Sequence, residues 1–269
     1  MAFLRVDTAP LLPEVRSGLV ALLRALDPPD WSRPTACPGW TVADIAAHLL
    51  GVELGNVSRR RDGHRVDPPT GADVPRWLDE FNDSWVDAAR RLSPRVLADL
   101  LDTAGAWFEA YVAGLSLDSP GPPVWWAGPD PAPVWLDVAR EYTERWVHQQ
   151  QIRDATGRPG LDDPRHIAAV VATFVHALPP SLAAVPAPPG TTVDLEVTGA
   201  GGGTWHAVAP TAGPAWDLRP GPSPDPACRL TAPAGDAWRL YAGYPGVTFT
   251  ATGDAALAAA ASGGRAIIT

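Results

Sequence analysis

The chain has 269 residues, 46% of them hydrophobic, with 30 acidic against 21 basic side chains and a formal net charge of −9. That length is ample for a sizeable core and makes two domains the natural expectation. The acidic balance argues against a nucleic-acid or anionic-membrane surface, since the one basic run that stands out is the short Arg59, Arg60, Arg61.

Every basic residue is arginine; abundant Ala, Pro, Gly and Arg without lysine points to a GC-rich genome, a statement about codons. The two cysteines, Cys37 and Cys228, are far apart and form no CxxC pair, so neither a disulfide framework nor a zinc knuckle is expected. The start MAFLRVDTAP has no long apolar stretch and no later run approaches a membrane span. A cytoplasmic protein, monomer or homodimer, is expected.

In chain order, Leu11 to Leu26 repeats apolar residues at helical spacing and stops at Asp27, Pro28, Pro29. CPGWTVADIAAHL, residues 37–49, opens a second helix: Pro38 and Gly39 break what precedes, Thr41 is a good N-cap, and Asp44 completes a capping-box pattern. Cys37 near this helix start is a candidate reactive thiol, but beside Pro38 and Gly39 it reads as packing in the turn. The arginine run reads as the solvated end of the helix. A third helical region begins near Asp73 with Trp77, Phe81 and Trp85 on one face, and leaves open a continuation after Pro94 to Tyr111. The proline-rich SPGPPVWWAGPDPAP follows, then a helix from about Pro133 to Ala155 that Gly157 and Pro159 stop. Four long helices predict a bundle.

A further helix is predicted over Pro164 to Leu178, and Pro179 to Gly190 reads as a stiff linker. Short strand-like runs come next, TTVDLEVT, GGGTWHAV, AWDLRP and ACRLTAP, with the glycines of GAGGGTWH as a hairpin turn. GDAWRLYAG and GDAALAAAAS read as short helices, with VTFTAT between them and AIIT at the end. The expected division is a helical bundle over 1–160 and a small α+β domain over 161–269.

At 3.6 residues per turn, Ile45, His48, Leu49 and Val52 share a face, so His48 points with aliphatic residues toward a core or a cleft. An imidazole there is either a core histidine bonded to a backbone carbonyl or a ligand. In EYTERWVHQQQIRDATG, Glu144 and His148 are four apart, and Asp137, Glu141 and Gln151 extend the polar stripe. Two histidines and a glutamate suit zinc or another divalent metal and leave positions open; the same spacing also serves a plain hydrogen bond or a solvated face. No GxSxG, P-loop or dinucleotide fingerprint stands in a suitable context.

DWSRPTACPGWTVADIAAHL together with EYTERWVHQQQIRDATGRPG resembles the mycothiol-dependent maleylpyruvate isomerase family, within the wider group of DinB-like metal-binding four-helix bundles. The likeness covers nearly the whole chain and implies a DinB-like bundle followed by a small α+β domain related to sterol-carrier folds. It implies metal ligands at His48, Glu144 and His148, with zinc as the fitting divalent ion and mycothiol or a similar thiol as cosubstrate. Glu141, Gln151 and Asp44 are the candidates for orienting the ligands. The remaining histidines, His64, His166, His176 and His206, match no ligand position. Family members often carry an arginine after a Leu-x-x-Gly-like turn in the second domain; LYAGYPG offers Tyr244 here, and Arg239, with Arg229 farther off, is expected to take that part. Trp40, Trp125 and Trp126 are candidate pocket walls. The expected function is a metal-dependent, thiol-using isomerase or S-transferase acting on a small electrophile, the rivals being a thiol-free hydrolase or lyase and a non-catalytic binding protein.

Overall fold

The computed structural model describes residues 3–129, 131–213 and 215–266. The chain divides into two compact units: Met1–Thr8, Ser116–Glu144 and Asp162–Thr269 form one, and Ala9–Leu115 with Arg145–Leu161 the other. The partition has edges at 8/9, 115/116 and 144/145 besides the one at 161/162, so chain order alone does not foresee it. None of the described helices is long and apolar enough to cross a membrane.

In the helical unit, α1 (Leu12–Arg24), α2 (Val42–Asn56), α3 (Val74–Ala89) and α4 (Pro94–Ala113) precede the C-terminal part of α5 (Val134–Thr156). Leu19, Leu22 and Leu23 of α1, Val42, Ile45 and Leu49 of α2, Leu97 and Leu101 of α4 and Ile152 of α5 share one apolar core. The third helical region is two helices. Ser93 is extended at φ −72°, ψ 154° and its hydroxyl caps Val96 N, while Pro94 sits in the first turn where a missing N–H costs nothing.

The start of α2 follows its capping signal. The Thr41 hydroxyl accepts from Asp44 N, and Asp44 Oδ2 accepts from Thr41 N at 2.9 Å, an arrangement worth about 1 kcal/mol. Burial would raise the Asp44 carboxyl, but the bonds from the Arg90 guanidinium and Thr41 hold it below the usual value. The helix ends in a π-turn, Val57–Arg61, where Asn56 Oδ1 accepts from Arg59 and Arg60. Gly51 admits α3: a Cβ there would stand 2.6 Å from Trp85, whose Nε1 donates to Ala47 O at 2.7 Å.

Two charged side chains lie within this apolar packing. Arg145 of α5 donates through Nε and Nη2 to both carboxylate oxygens of Glu53 on α2, at 2.7 and 2.8 Å, and its guanidinium lies 4.3 Å from the Phe108 ring centroid. Both partners are buried.

The other unit contains the first part of α5, the proline-rich segment, α6 (Pro164–Phe174), α7 (Leu178–Leu182) and a five-stranded sheet. The strands are β1 (Thr192–Thr198), β2 (Gly203–Val208), β3 (Asp217–Pro220), β4 (Cys228–Pro233) and β5 (Thr250–Gly253), in the order β3-β2-β1-β4-β5. Only β1 and β4 pair in parallel. β1 and β2 form the expected hairpin, with Gly199 at φ +91° and Gly201 at φ +80° in the turn. Two short helices, α8 (Ala234–Tyr241) and α9 (Ala255–Ser262), complete the unit. The stretch read as a linker begins with the helical turn of α7, because Leu178, Pro179 and Leu182 are buried. The AIIT run, apart from Ala266, lies outside the described residues.

His176, in the 3₁₀ turn after α6, is fully buried with Nδ1 3.0 Å from Thr173 O and Nε2 accepting from Leu4 N at 3.1 Å. Those partners require the neutral ring, and burial pushes its pKa down to about 4.

Two stability measurements follow from these groups. Glu53→Leu strands the buried Arg145 charge and is expected to lower the unfolding free energy in urea by about 3–5 kcal/mol, far more than an exposed ion pair would. For His176 the unfolded ring binds its proton first as pH falls. The contribution is therefore complete above about pH 6.5 and is lost toward pH 4, at up to about 1.4 kcal/mol per pH unit. His176→Gln should flatten the stability profile in that window; an unchanged profile would show that another group carries it.

Candidate metal centre

The helical phase of α2 places Ile45, His48 and Leu49 together, and all three are buried, His48 at 7% exposure. On α5, Glu144 and His148 stand one turn apart, His148 at 1% exposure and Glu144 half-buried. The ligand atoms of His48, Glu144 and His148 all lie within 4.8 Å of one another, the one such group of three among the described residues. Small rotamer changes would bring them to the ~3–4 Å that separates two donors bonded to one ion at about 2.0–2.2 Å. The His48 and His148 rings meet edge to face at 4.9 Å between centroids, and Trp40 lies 4.9 Å from the His48 ring. Two imidazoles and one carboxylate form a donor set that fits zinc or a related divalent ion.

The surroundings support such an ion. Gln151 Oε1 lies 2.6 Å from His148 Nδ1, a contact that orients the ring. Of the three residues expected to orient the ligands, Gln151 is in contact with His148. Asp44 is taken up by the α2 cap and by Arg90 at 2.9 Å, and Glu141 is bonded to Arg140. Arg140, one turn before Glu144, also binds Asp137 at 3.1 Å. Burial lowers its pKa, but the attraction of Glu141 and Asp137, with Glu144 adding to it, more than offsets this and keeps the guanidinium charged.

The other candidates lie in local settings. Trp40 donates to Asp83 at 3.3 Å. Trp125 is 58% exposed, while Trp126 is buried and nearly perpendicular to the Phe174 ring. Arg239, on α8, stacks on Trp238 at 4.4 Å, lies 5.8 Å from the Tyr244 ring centroid and donates to Gly235 O. Arg229 reaches the buried Asp194 at 3.4 Å. The histidines outside the ligand set have structural neighbours: His166 bonds Tyr142 at 2.7 Å and His206 bonds Gly221 O at 2.8 Å.

Two contacts escaped the sequence reading. One is the Glu53–Arg145 pair, five residues after His48 and next to Glu144; a charged Glu53 inside the apolar pattern of α2 was the available signal, while Arg145 sits in a polar stretch that gives none. The other is the Cys37 thiol, which packs in its turn as expected but also lies 3.2 Å from Gln151 Oε1, a contact with no local sequence signal.

Comparison with known proteins gives the chain its relatives. Two uncharacterized proteins of Mycobacterium tuberculosis, from strains CDC 1551 and H37Rv, are each 29% identical over 208 residues, covering 74% of this chain and 77% of theirs. A crystal structure of the mycothiol-dependent maleylpyruvate isomerase superposes with a TM-score of 0.56 at 15% identity, covering 93% of this chain and 96% of that one. A variant of that enzyme with one histidine replaced by alanine gives the same TM-score at 14% identity. The two-domain α+β fold is thus one already seen in a solved structure. The model of the mycothiol maleylpyruvate isomerase N-terminal domain matches residues 12–153, over half of the sequence and including all three residues of the cluster, and the chain belongs to that family.

Proposed function

We propose that the protein is a metal-dependent enzyme that uses a low-molecular-weight thiol of the mycothiol type to isomerise, or transfer sulfur to, a small electrophilic substrate. The observation that carries this reading is the convergence of His48, Glu144 and His148 in a chain of this family. The structural likeness to a mycothiol-dependent maleylpyruvate isomerase supports the thiol.

In this reading His48 and His148 each supply an imidazole nitrogen and Glu144 a carboxylate oxygen. A divalent cation held there would supply a Lewis-acid centre that favours the thiolate form of a thiol at neutral pH. Trp40, against His48, shields one side of the ligand set from water. The chain's own thiols do not provide the nucleophile, since Cys37 and Cys228 are both buried. Attack of an external thiolate on an activated alkene forms a C–S bond and moves the π pair onto the activating group. Rotation about the former C=C bond, single in the adduct, and expulsion of the thiolate return the isomerised alkene with the thiol regenerated. Protonation of the adduct instead leaves a thioether. Arg239 and Tyr244 belong to this reading on chemistry alone, as a cation and a phenol suited to an anionic substrate, and Trp125 and Trp126 as apolar surface.

Elemental analysis is expected to find one divalent ion per chain in the wild type and a loss of it in His48→Ala and His148→Ala; equal content in all three would remove the site. Turnover of an activated alkene should require an added low-molecular-weight thiol and saturate with it. Full activity in rigorously thiol-free buffer would replace the thiol reading with hydrolytic chemistry at the same ligands.

A further inference from the structure

Gln151 lies three residues beyond His148 on α5, fully buried, and its Oε1 makes two contacts: His148 Nδ1 at 2.6 Å and the Cys37 thiol at 3.2 Å. Cys37 itself is 4% exposed. We propose that Gln151 and Cys37 are positioning residues that set His148 in its Nδ1–H tautomer before any cation binds, the thiol holding the carboxamide oxygen toward the ring. The inference rests on His148 being a metal ligand, and it explains how that ligand is made ready.

A carboxamide oxygen only accepts hydrogen bonds, so the imidazole nitrogen facing it at 2.6 Å must carry the hydrogen. A neutral ring has one N–H, and Nε2 then keeps its lone pair for a cation. The opposite orientation of the amide would put the NH2 group against Nδ1. The ring hydrogen would move to Nε2, and neither nitrogen would be available as a ligand. The amide orientation therefore decides whether His148 can bind a metal. Gln151 Nε2 has no hydrogen-bond partner among the described residues, so the two contacts at Oε1 are what hold the competent orientation.

The thiol supplies the second of these, because S–H is a donor that a carbonyl oxygen satisfies. Its loop is itself fastened: Cys37 N donates to Thr35 Oγ1 at 3.2 Å, Trp40 N donates to Cys37 O at 3.1 Å, and Thr35 N donates to Trp40 O at 3.1 Å. One short turn thus places Trp40 beside the His48 ring and Cys37 behind His148, on the far side of Gln151.

The decisive measurement is a long-range ¹H–¹⁵N correlation on the ¹⁵N-labelled, metal-free full chain, about two pH units above the ordinary imidazole pKa. His148 is assigned by the loss of its signals in His148→Asn. A protonated Nδ1 with a bare Nε2 is expected; a protonated Nε2 in the wild type overturns the proposal. Gln151→Met, which removes the acceptor at similar volume, should shift His148 out of that tautomer and lower Zn²⁺ affinity, by competition with a chelator, about 10–100-fold. Gln151→Glu keeps an acceptor and should keep the tautomer. Cys37→Ala should weaken Zn²⁺ binding several-fold, and Cys37→Ser, whose hydroxyl donates to the same oxygen, should restore it. Wild-type tautomer and affinity in Gln151→Met overturn the proposal, as does a Cys37→Ser no better than Cys37→Ala. If Gln151→Met does not fold, the wild-type spectrum and the cysteine pair decide. A wild type with the expected tautomer that takes up no Zn²⁺ supports the positioning and overturns the metal reading instead.

Discussion

The bidentate ion pair between Glu53 and Arg145, closed off by the Phe108 ring, is the constraint on which the arrangement of α2 against α5 depends. Two buried charges hold each other at 2.7 and 2.8 Å or stand uncompensated in apolar surroundings, so the helices have one favourable register. That register brings His48, five residues before Glu53, to Glu144 and His148, which flank Arg145. A hydrophobic pair of similar volume would pack as well but would tolerate sliding, which the close grouping of these three side chains does not.

Around this register further polar contacts fix the parts that carry the candidate site. Trp85 fastens α3 to α2 through a backbone carbonyl beside His48, using the space that Gly51 leaves. The capping box begins α2 at a defined residue, so the angular position of His48 about its helix is set from Thr41 onward. Gln151 and Cys37 then govern one ring nitrogen. Ligand placement thus passes from helix start, to helix packing, to side-chain orientation, each step narrowing the one before.

Sequence periodicity carried the helices well because their signals are local: Thr41 with Asp44, the apolar phase of Ile45, His48 and Leu49, and the glycine turn between β1 and β2 all sit within a few residues. Glu144 and His148 were visible on α5 as a four-residue spacing and His48 by its helical phase, while their joint reading as a metal set leaned on resemblance to a family. What stayed hidden depends on contacts distant in sequence. Glu53 meets Arg145 across 92 residues and Cys37 meets Gln151 across 114, so neither partner announces the other. The break at Ser93 was readable in principle from the proline after it. The last strand proved shorter than the VTFTAT run because its ladder with β4 holds only from Thr231↔Thr250 to Cys228↔Gly253.

The composition also bears on how the molecule withstands reactive compounds. With no lysine in the sequence, no side chain offers a primary amine, and both cysteine sulfurs are buried. The 21 arginines carry the positive charge in a form that stays protonated and reacts poorly with carbonyls and alkenes. In the proposed function the substrate is a soft electrophile able to alkylate protein side chains, and this chain leaves it no exposed thiol and no side-chain amine to attack. Maleimide should for the same reason label the folded chain poorly, and an amine-reactive ester should be left with the terminal α-amine.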